Sequence, residues 1–367
     1  MPDFTSALYL GLRHPSAALK PWRALSSGRP AALAETAGAA TVAAGLARLT
    51  GCEAGTLLPS TLHLFLDLFA SLPRRAHYFV DASLYPVARW GVERAVARGA
   101  TASSFAHYDA GDLARQLARS ASAARPPVAV IDGFCPACGV PAPLRDILAE
   151  LRRYEGMLVV DDTQALGIFG QSPGARCDAL RVPEYGCGGG GMLRFADITG
   201  PDIVVASSLA KAFGVPVAML AGTKSFVTRF ARSSATRVHC SPPSVAVVHA
   251  AERALAVNAE RGDALRLRLA HLVRRFRAGA RGICALPRAG AFPVLTLGCE
   301  AARGAGAVRL HRALNEAGVR ALLHAPRDPR ISFLISAAHG ESDVDDALAA
   351  LQLCLSAGRR QRSGVVS

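Results

Sequence analysis

Short apolar runs recur through the middle of the chain, and most of the gaps between them fit one helix. Residues 78–80, 101–105, 128–131, 157–160 and 203–206 read as strands, and residues 83–99, 111–120 and 144–154 carry apolar residues at helical spacing. Runs such as Val128-Ala129-Val130-Ile131 are apolar throughout rather than alternately, so they are buried on both faces. The pattern predicts an α/β protein built on a mostly parallel sheet with helices on both sides.

The chain has 367 residues, enough for one large domain and a smaller one. Residues 1–40 read as an irregular arm rich in Pro, Ser and Gly, and residues 41–250 as the large domain. A predicted helix over 35–49 leads into the large domain, where 62–70 is a further helix, 56–58 a short strand stopped by Pro59, and 217–221 a further strand. A long helix over 244–279, with its arginines on a wet face, leads into a small α+β domain that ends near residue 357. That domain has strands at 292–297, 319–323 and 331–336 and helices at 305–317 and 342–357, and residues 358–367 form a frayed tail. Residues 183–199 break the rhythm and carry Gly188-Gly189-Gly190-Gly191. Four glycines can cradle a phosphate, but the strand–loop–helix order of a nucleotide site is missing, so a flexible hairpin is expected.

The net charge of +14 raises the question of nucleic acid. The arginines are scattered, however, with dense clusters only at Arg274, Arg275 and Arg277 and at Arg359, Arg360 and Arg362, and no recognition motif accompanies them. Nucleic acid is therefore excluded, leaving either an arginine-biased composition or a positive surface for acidic partners. Nine cysteines are irregularly spaced. Cys135 and Cys138 form a Cys-x-x-Cys pair with no second pair to complete a zinc site, so structural thiols are expected. The chain shows no signal-like start and no apolar run of the roughly 18 residues that span a membrane, so a cytoplasmic protein with reduced thiols is expected.

Against thirty-nine arginines the chain keeps three lysines. One of them, Lys211, follows the apolar run 203–206 and a small polar turn, and a second apolar run ends in Asp161 and Asp162. A lysine can shed its proton and form an imine, whereas an arginine cannot. A lysine and an aspartate at two strand ends can hold pyridoxal 5′-phosphate (PLP), the lysine as a Schiff base and the aspartate at the pyridinium nitrogen.

The order of these motifs resembles the α-oxoamine synthase family of fold-type I PLP-dependent enzymes. The match runs collinearly from Tyr9-Leu10-Gly11-Leu12 to the C-terminal helix, and is closest at Val160-Asp161-Asp162, at residues 207–214 and at residues 335–339. The resemblance implies a large domain with a mostly parallel seven-stranded sheet and a small C-terminal α+β domain. It makes Lys211 the Schiff-base lysine and Asp161 the partner of the ring nitrogen, with Asp162 in a supporting or capping role. Ser207 and Ser208 stand where the family reaches the cofactor phosphate, and Ser60, Thr61 and Leu62 stand at its phosphate-binding turn. Several positions depart from the family. Gln164 replaces a histidine that meets the cofactor's 3′-oxygen, and Asp81 replaces the histidine that stacks on the ring. The missing ring is then left to His63 or Tyr85. Asp132 replaces a glutamate, while Pro136 and Cys138 replace a serine and an aspartate. One arginine of a carboxylate-binding pair remains as Arg330, and Ser332 takes the place of the other. Cys240 and Ser241 lie where family hydroxyls cross to a neighbouring subunit's phosphate, which implies a homodimer with shared sites. The implied reaction is condensation of an amino acid with an acyl thioester, on coenzyme A or an acyl carrier protein, with loss of carbon dioxide. An aminotransferase, decarboxylase or lyase on the same fold is the alternative.

Overall fold

A computed structural model describes residues 1–120, 125–172, 184–286, 290–324 and 327–363. The chain opens with β1 (Asp3–Phe4), then α1 (Ala39–Thr50), β2 (Ala54–Leu58), α2 (Thr61–Leu68), β3 (His77–Asp81), α3 (Pro86–Val96), β4 (Thr101–Phe105), α4 (Ala110–Ser120) and β5 (Pro127–Asp132). A small hairpin of β6 (Phe134–Cys135) and β7 (Val140–Pro141) precedes α5 (Leu144–Arg152) and β8 (Met157–Asp161). Next come α6 (Met192–Phe195), β9 (Ile203–Ser208), β10 (Ala218–Gly222), α7 (Lys224–Ser233), α8 (Ala235–His239) and the 36-residue α9 (Val245–Ala280). The rest is β11 (Val294–Thr296), α10 (Gly304–Glu316), β12 (Arg320–His324), β13 (Arg330–Leu334) and α11 (Glu341–Ser363).

Seven strands form one sheet in the order β2-β10-β9-β8-β5-β3-β4. The neighbouring pairs from β9 to β4 are parallel, while β10 runs antiparallel to both β9 and β2. The continuous apolar runs supply two cores at once. Ala129, Ile131, Leu158, Val160, Ile203 and Val205 join one buried cluster, and Val128, Val130, Val159, Val204 and Ala206 join the other. Successive side chains point to opposite faces, so both faces of these strands are covered. Each of the fully buried valines and isoleucines contributes roughly 1.5–3 kcal/mol by leaving water.

The second sheet, in the order β1-β12-β13-β11, includes the first residues of the chain. The region read as an irregular arm therefore begins with a strand: Asp3 and Phe4 pair in parallel with Arg320 and Ala321. Phe4 is fully buried against Phe333, and its ring lies tilted against that of His339 at 4.4 Å between centroids. His339 Nδ1 accepts from the Ser336 amide at 3.1 Å, and its Nε2 donates to the Asp3 carbonyl at 3.0 Å. His339 is thus a latch between the N-terminus and the small sheet.

In its described part the glycine run pairs back antiparallel through Gln171 and Cys187 and is held by further hydrogen bonds; Pro183 lies outside the described residues. The Gly188 amide donates to Asp263 Oδ1, and Asn258 donates to the Gly188 carbonyl, each at 2.9 Å, which fixes the loop on α9. Arg266 of the same helix is fully buried, contrary to the wet face expected for its arginines, and donates to the Gly167 carbonyl at 2.8 Å. Gly191 has φ +83°, and a Cβ there would lie 1.8 Å from Asp162 Oδ2. Asp162 itself accepts from the Met192 amide and caps α6. Cys187 is disulfide-bonded, which differs from the expectation of reduced thiols throughout.

Candidate active site at the carboxyl edge of the sheet

Parallel strands bring their C-terminal ends to one edge, where α/β sheets hold their ligands. Asp81 ends β3, Asp132 ends β5 and Asp161 ends β8, with Asp132 and Asp161 directly paired in register. Asp161 Oδ1 accepts from the Thr163 amide at 3.0 Å, and the Ser208 amide donates to Thr163 Oγ1 at 3.0 Å. The end of β8 is thereby tied to the end of β9. Ser208 Oγ accepts from the Ala210 amide at 3.2 Å and shapes the turn that carries Lys211.

Burial lowers the Lys211 pKa from its usual value, while Asp161 and Asp132 oppose the shift. The acids move the other way. Burial, and then the charge of Asp161, push Asp132 up to about 8, against the Tyr85 amide that donates to its Oδ2 at 3.1 Å. Burial also raises Asp161, opposed by hydrogen bonds from Thr163 and by Lys211. An amine whose ammonium form is destabilised, facing acids that resist losing their protons, is poised as a nucleophile toward a carbonyl.

The phosphate-binding candidates lie on the same edge. Leu58 of β2, Ala218 of β10 and Ser208 of β9 stand in one row across three strands, so about 10 Å separates the end of β2 from Ser208. Ser60 then caps α2: its Oγ accepts from the His63 amide at 3.4 Å and meets His63 Nδ1 at 2.8 Å. The first amides of a helix, here those of Thr61 and Leu62, have no partner within the helix and suit an anion. The Leu62 side chain is exposed, so only its backbone serves such a site. Of the two expected hydroxyls, Ser208 is only partly buried, whereas Ser207 is fully buried with its Oγ 3.5 Å from the Ser208 carbonyl. A primary amine, a carboxylate at a neighbouring strand end and a capped helix start together fit PLP.

Gln164 is oriented from the N-terminal segment, since the buried Tyr9 hydroxyl donates to its Oε1 at 3.0 Å. That bond occupies the amide oxygen, so the Gln164 amide nitrogen, which can only donate, remains for a ligand's acceptor. Asp81 does not present its carboxylate as a stacking group. It is buried, and it accepts from the Ser83 amide at 2.8 Å, from His107 Nδ1 at 2.7 Å and from the Tyr108 amide at 2.9 Å. The His107 and Tyr108 rings stack at 3.9 Å, and the Tyr108 hydroxyl donates to the Asp132 carbonyl at 2.9 Å. His107 and Tyr108 were not singled out from the sequence; their one signal is their place just after β4, at the same edge. Of the two rings considered as replacements, His63 is bound to Ser60, and Tyr85 is exposed and reaches Asp132 through its amide.

Two expected residues lie on other elements. Arg330 begins β13 of the small sheet and pairs with Asp328 at 2.6 Å. Its neighbour on the same face, Ser332, is buried and hydrogen-bonded to Thr296 at 2.7 Å and His324 at 2.9 Å. Ser241 is exposed just beyond α8.

The family model for aminotransferase class I and II matches residues 92–351. Among curated relatives, 8-amino-7-oxononanoate synthase of Alkalilimnicola ehrlichii is 29% identical over 83% of this chain and 74% of its own length. The enzyme of the same name from Alcanivorax borkumensis is 31% identical over 70% of this chain and 62% of its own. The chain thus spans about two thirds of the length of such relatives. Among solved structures, Sphingomonas wittichii serine palmitoyltransferase superposes with a TM-score of 0.81 at 19% identity, covering 96% of this chain and 86% of that one. An 8-amino-7-oxononanoate synthase from Francisella tularensis gives 0.73 at 17% identity, covering 97% and 98%. This chain belongs to the aminotransferase class I and II family of PLP-dependent enzymes.

Proposed function

We propose that the protein is a PLP-dependent acyltransferase that condenses an amino acid with an acyl thioester, of coenzyme A or an acyl carrier protein, to give an α-amino ketone with loss of carbon dioxide. The observation that carries this reading is the Lys211 amine, held largely out of water opposite Asp161 and Asp132 at the carboxyl edge of the sheet. When bound, PLP supplies a ring that accepts the electron pair released at the substrate's α-carbon. Lys211 Nζ would hold the cofactor, and the same amine would move a proton at the substrate's α-carbon. Asp161 would keep the ring nitrogen protonated, and the amide nitrogen of Gln164 would donate to the 3′-oxygen. Ser208 and the first amides of α2 bind the phosphate, joined by Ser241 of a second subunit. Arg330 receives the substrate carboxylate.

A homodimer with shared sites agrees with the apolar surface of α2 and α3. These helices pack so closely at Gly91 that a Cβ there would lie 2.6 Å from the Phe65 carbonyl, yet they leave Leu62, Leu66 and Trp90 exposed. The reading places the enzyme in the cytoplasm, and no helix among the described residues is long and apolar enough to cross a membrane. A transamination, decarboxylation or lyase reaction is the second reading, favoured by Gln164 and Asp81 where the resembling family carries histidines.

The test mixes PLP-loaded protein with amino acids and acyl thioesters. Thiol release that needs both substrates, lost in Lys211→Ala together with the visible band of lysine-bound PLP, supports condensation. Transfer of the amino group to a keto acid without thiol release refutes it.

A further inference from the structure

Three soft ligands converge beside the acids, and the proposed reaction uses none of them. His107 lies just past β4, while Cys135 and Cys138 belong to the β6–β7 hairpin that follows β5. Their ligand atoms, one imidazole nitrogen and two sulfurs, all lie within 4.8 Å of one another. His107 Nε2 is 3.2 Å from Cys138 Sγ, and the Cys138 amide donates to Cys135 Sγ at 3.3 Å. A second observation points the same way. Asp81 Oδ1 sits 2.7 Å from His107 Nδ1, so the imidazole is held with Nε2 turned to the thiols. A carboxylate behind a histidine is the usual outer support of a metal-bound imidazole. Tetrahedral zinc, with bonds of about 2.0–2.3 Å, holds its nitrogen and sulfur ligands roughly 3.3–3.8 Å apart, so the trio needs only a small contraction.

We propose that His107 Nε2, Cys135 Sγ and Cys138 Sγ bind a thiophilic divalent cation of the zinc class, with Asp81 as the positioning residue for His107. Each thiol gives its proton to solvent as its sulfur–metal bond forms, so two thiolates balance the two positive charges of the ion. Three protein ligands leave one tetrahedral position for an exogenous ligand. The ion clips together the ends of β3, β4 and β5. It also firms the wall of the proposed active site, where the Tyr108 hydroxyl reaches the Asp132 carbonyl.

The test uses reduced, PLP-loaded protein, treated with chelator, desalted and titrated with Co²⁺ as a spectroscopic stand-in for zinc, against its own cobalt-free spectrum. The expected result is saturation at one cobalt per chain. It should bring a near-ultraviolet thiolate charge-transfer band and the intense visible bands of a tetrahedral ion, all removed by one equivalent of Zn²⁺. The Cys135→Ser/Cys138→Ser variant should lose the charge-transfer band. His107→Ala should lose the tetrahedral pattern. Asp81→Asn should keep both and bind about 10- to 100-fold more weakly. Circular dichroism identifies any variant that fails to fold, and the titration of the unaltered protein stands without the variants. Absence of a thiolate band in the unaltered protein, its persistence in the folded double variant, or a Cys135–Cys138 disulfide that excludes cobalt under reducing conditions would each overturn the proposal.

Discussion

Replacing Asp132 by Asn tests whether the acids at the sheet edge retain a proton near neutral pH. Burial and the neighbouring Asp161 raise Asp132 from 3.8 to about 8. The folded protein then holds a proton that the unfolded chain has already released. An acid raised in this way contributes stability that is full below about 4 and is lost as pH rises through about 8. One proton gives a slope of at most about 1.4 kcal/mol per pH unit, so this group removes up to about 4 kcal/mol between pH 5 and 8. Lys211 has the opposite sign: its lowered pKa contributes stability that is present above 10.5 and is lost as pH falls through the folded value, so it acts at the alkaline end. Asp161 and Asp162 are raised as well and remain in the variant, so the informative quantity is the difference between the two proteins. Asn keeps an acceptor for the Tyr85 amide and cannot ionise. Urea unfolding of the cofactor-free proteins, at one fixed chain concentration and a series of pH values, measures that difference. The stability of Asp132→Asn relative to the parent should climb by roughly 1 kcal/mol per pH unit from about pH 5 to 8. Two profiles that run parallel across that window would refute a protonated Asp132.

Other substitutions probe the frame around the site. Arg266→Ala removes a fully buried cation that bonds to the Gly167 carbonyl, Asn258 and Asp263, and urea titration should show a loss of about 3–5 kcal/mol. Gly191→Ala drives a Cβ into Asp162 Oδ2 at a positive φ, and should lower stability by about 2 kcal/mol or more in the same assay. Leu66→Glu combined with Trp90→Glu places charge on the exposed face of α2 and α3; sedimentation should show a shift from dimer to monomer with the far-ultraviolet spectrum unchanged.

The large sheet was legible because its central strands bury both faces, and an apolar run without alternation reports that condition directly. Lys211 and Asp161 were legible for a related reason, since each follows such a run and so stands at a strand end. The direction of β10 was also within reach: the nine residues between Ser208 and Ala218 are too few for a parallel crossover, so β10 must return antiparallel. Strand β1 was not legible, because two residues carry no period. The partners of Asp81 and of the Cys135–Cys138 pair were hidden by a deeper limit. Periodicity reports the faces of one strand, whereas the chemistry of this edge depends on which strand ends are neighbours. In the order β8-β5-β3-β4, the first three strands end in Asp161, Asp132 and Asp81, and His107 follows two residues past β4. Residues separated by up to 80 positions thus form one row of acids closed by an imidazole. Such a row is stable only if it keeps protons or gathers cations. Lys211 meets that need at the Asp161 end, the retained proton meets it at Asp132, and the His107–Cys135–Cys138 cluster gives the far end a place to hold a metal ion.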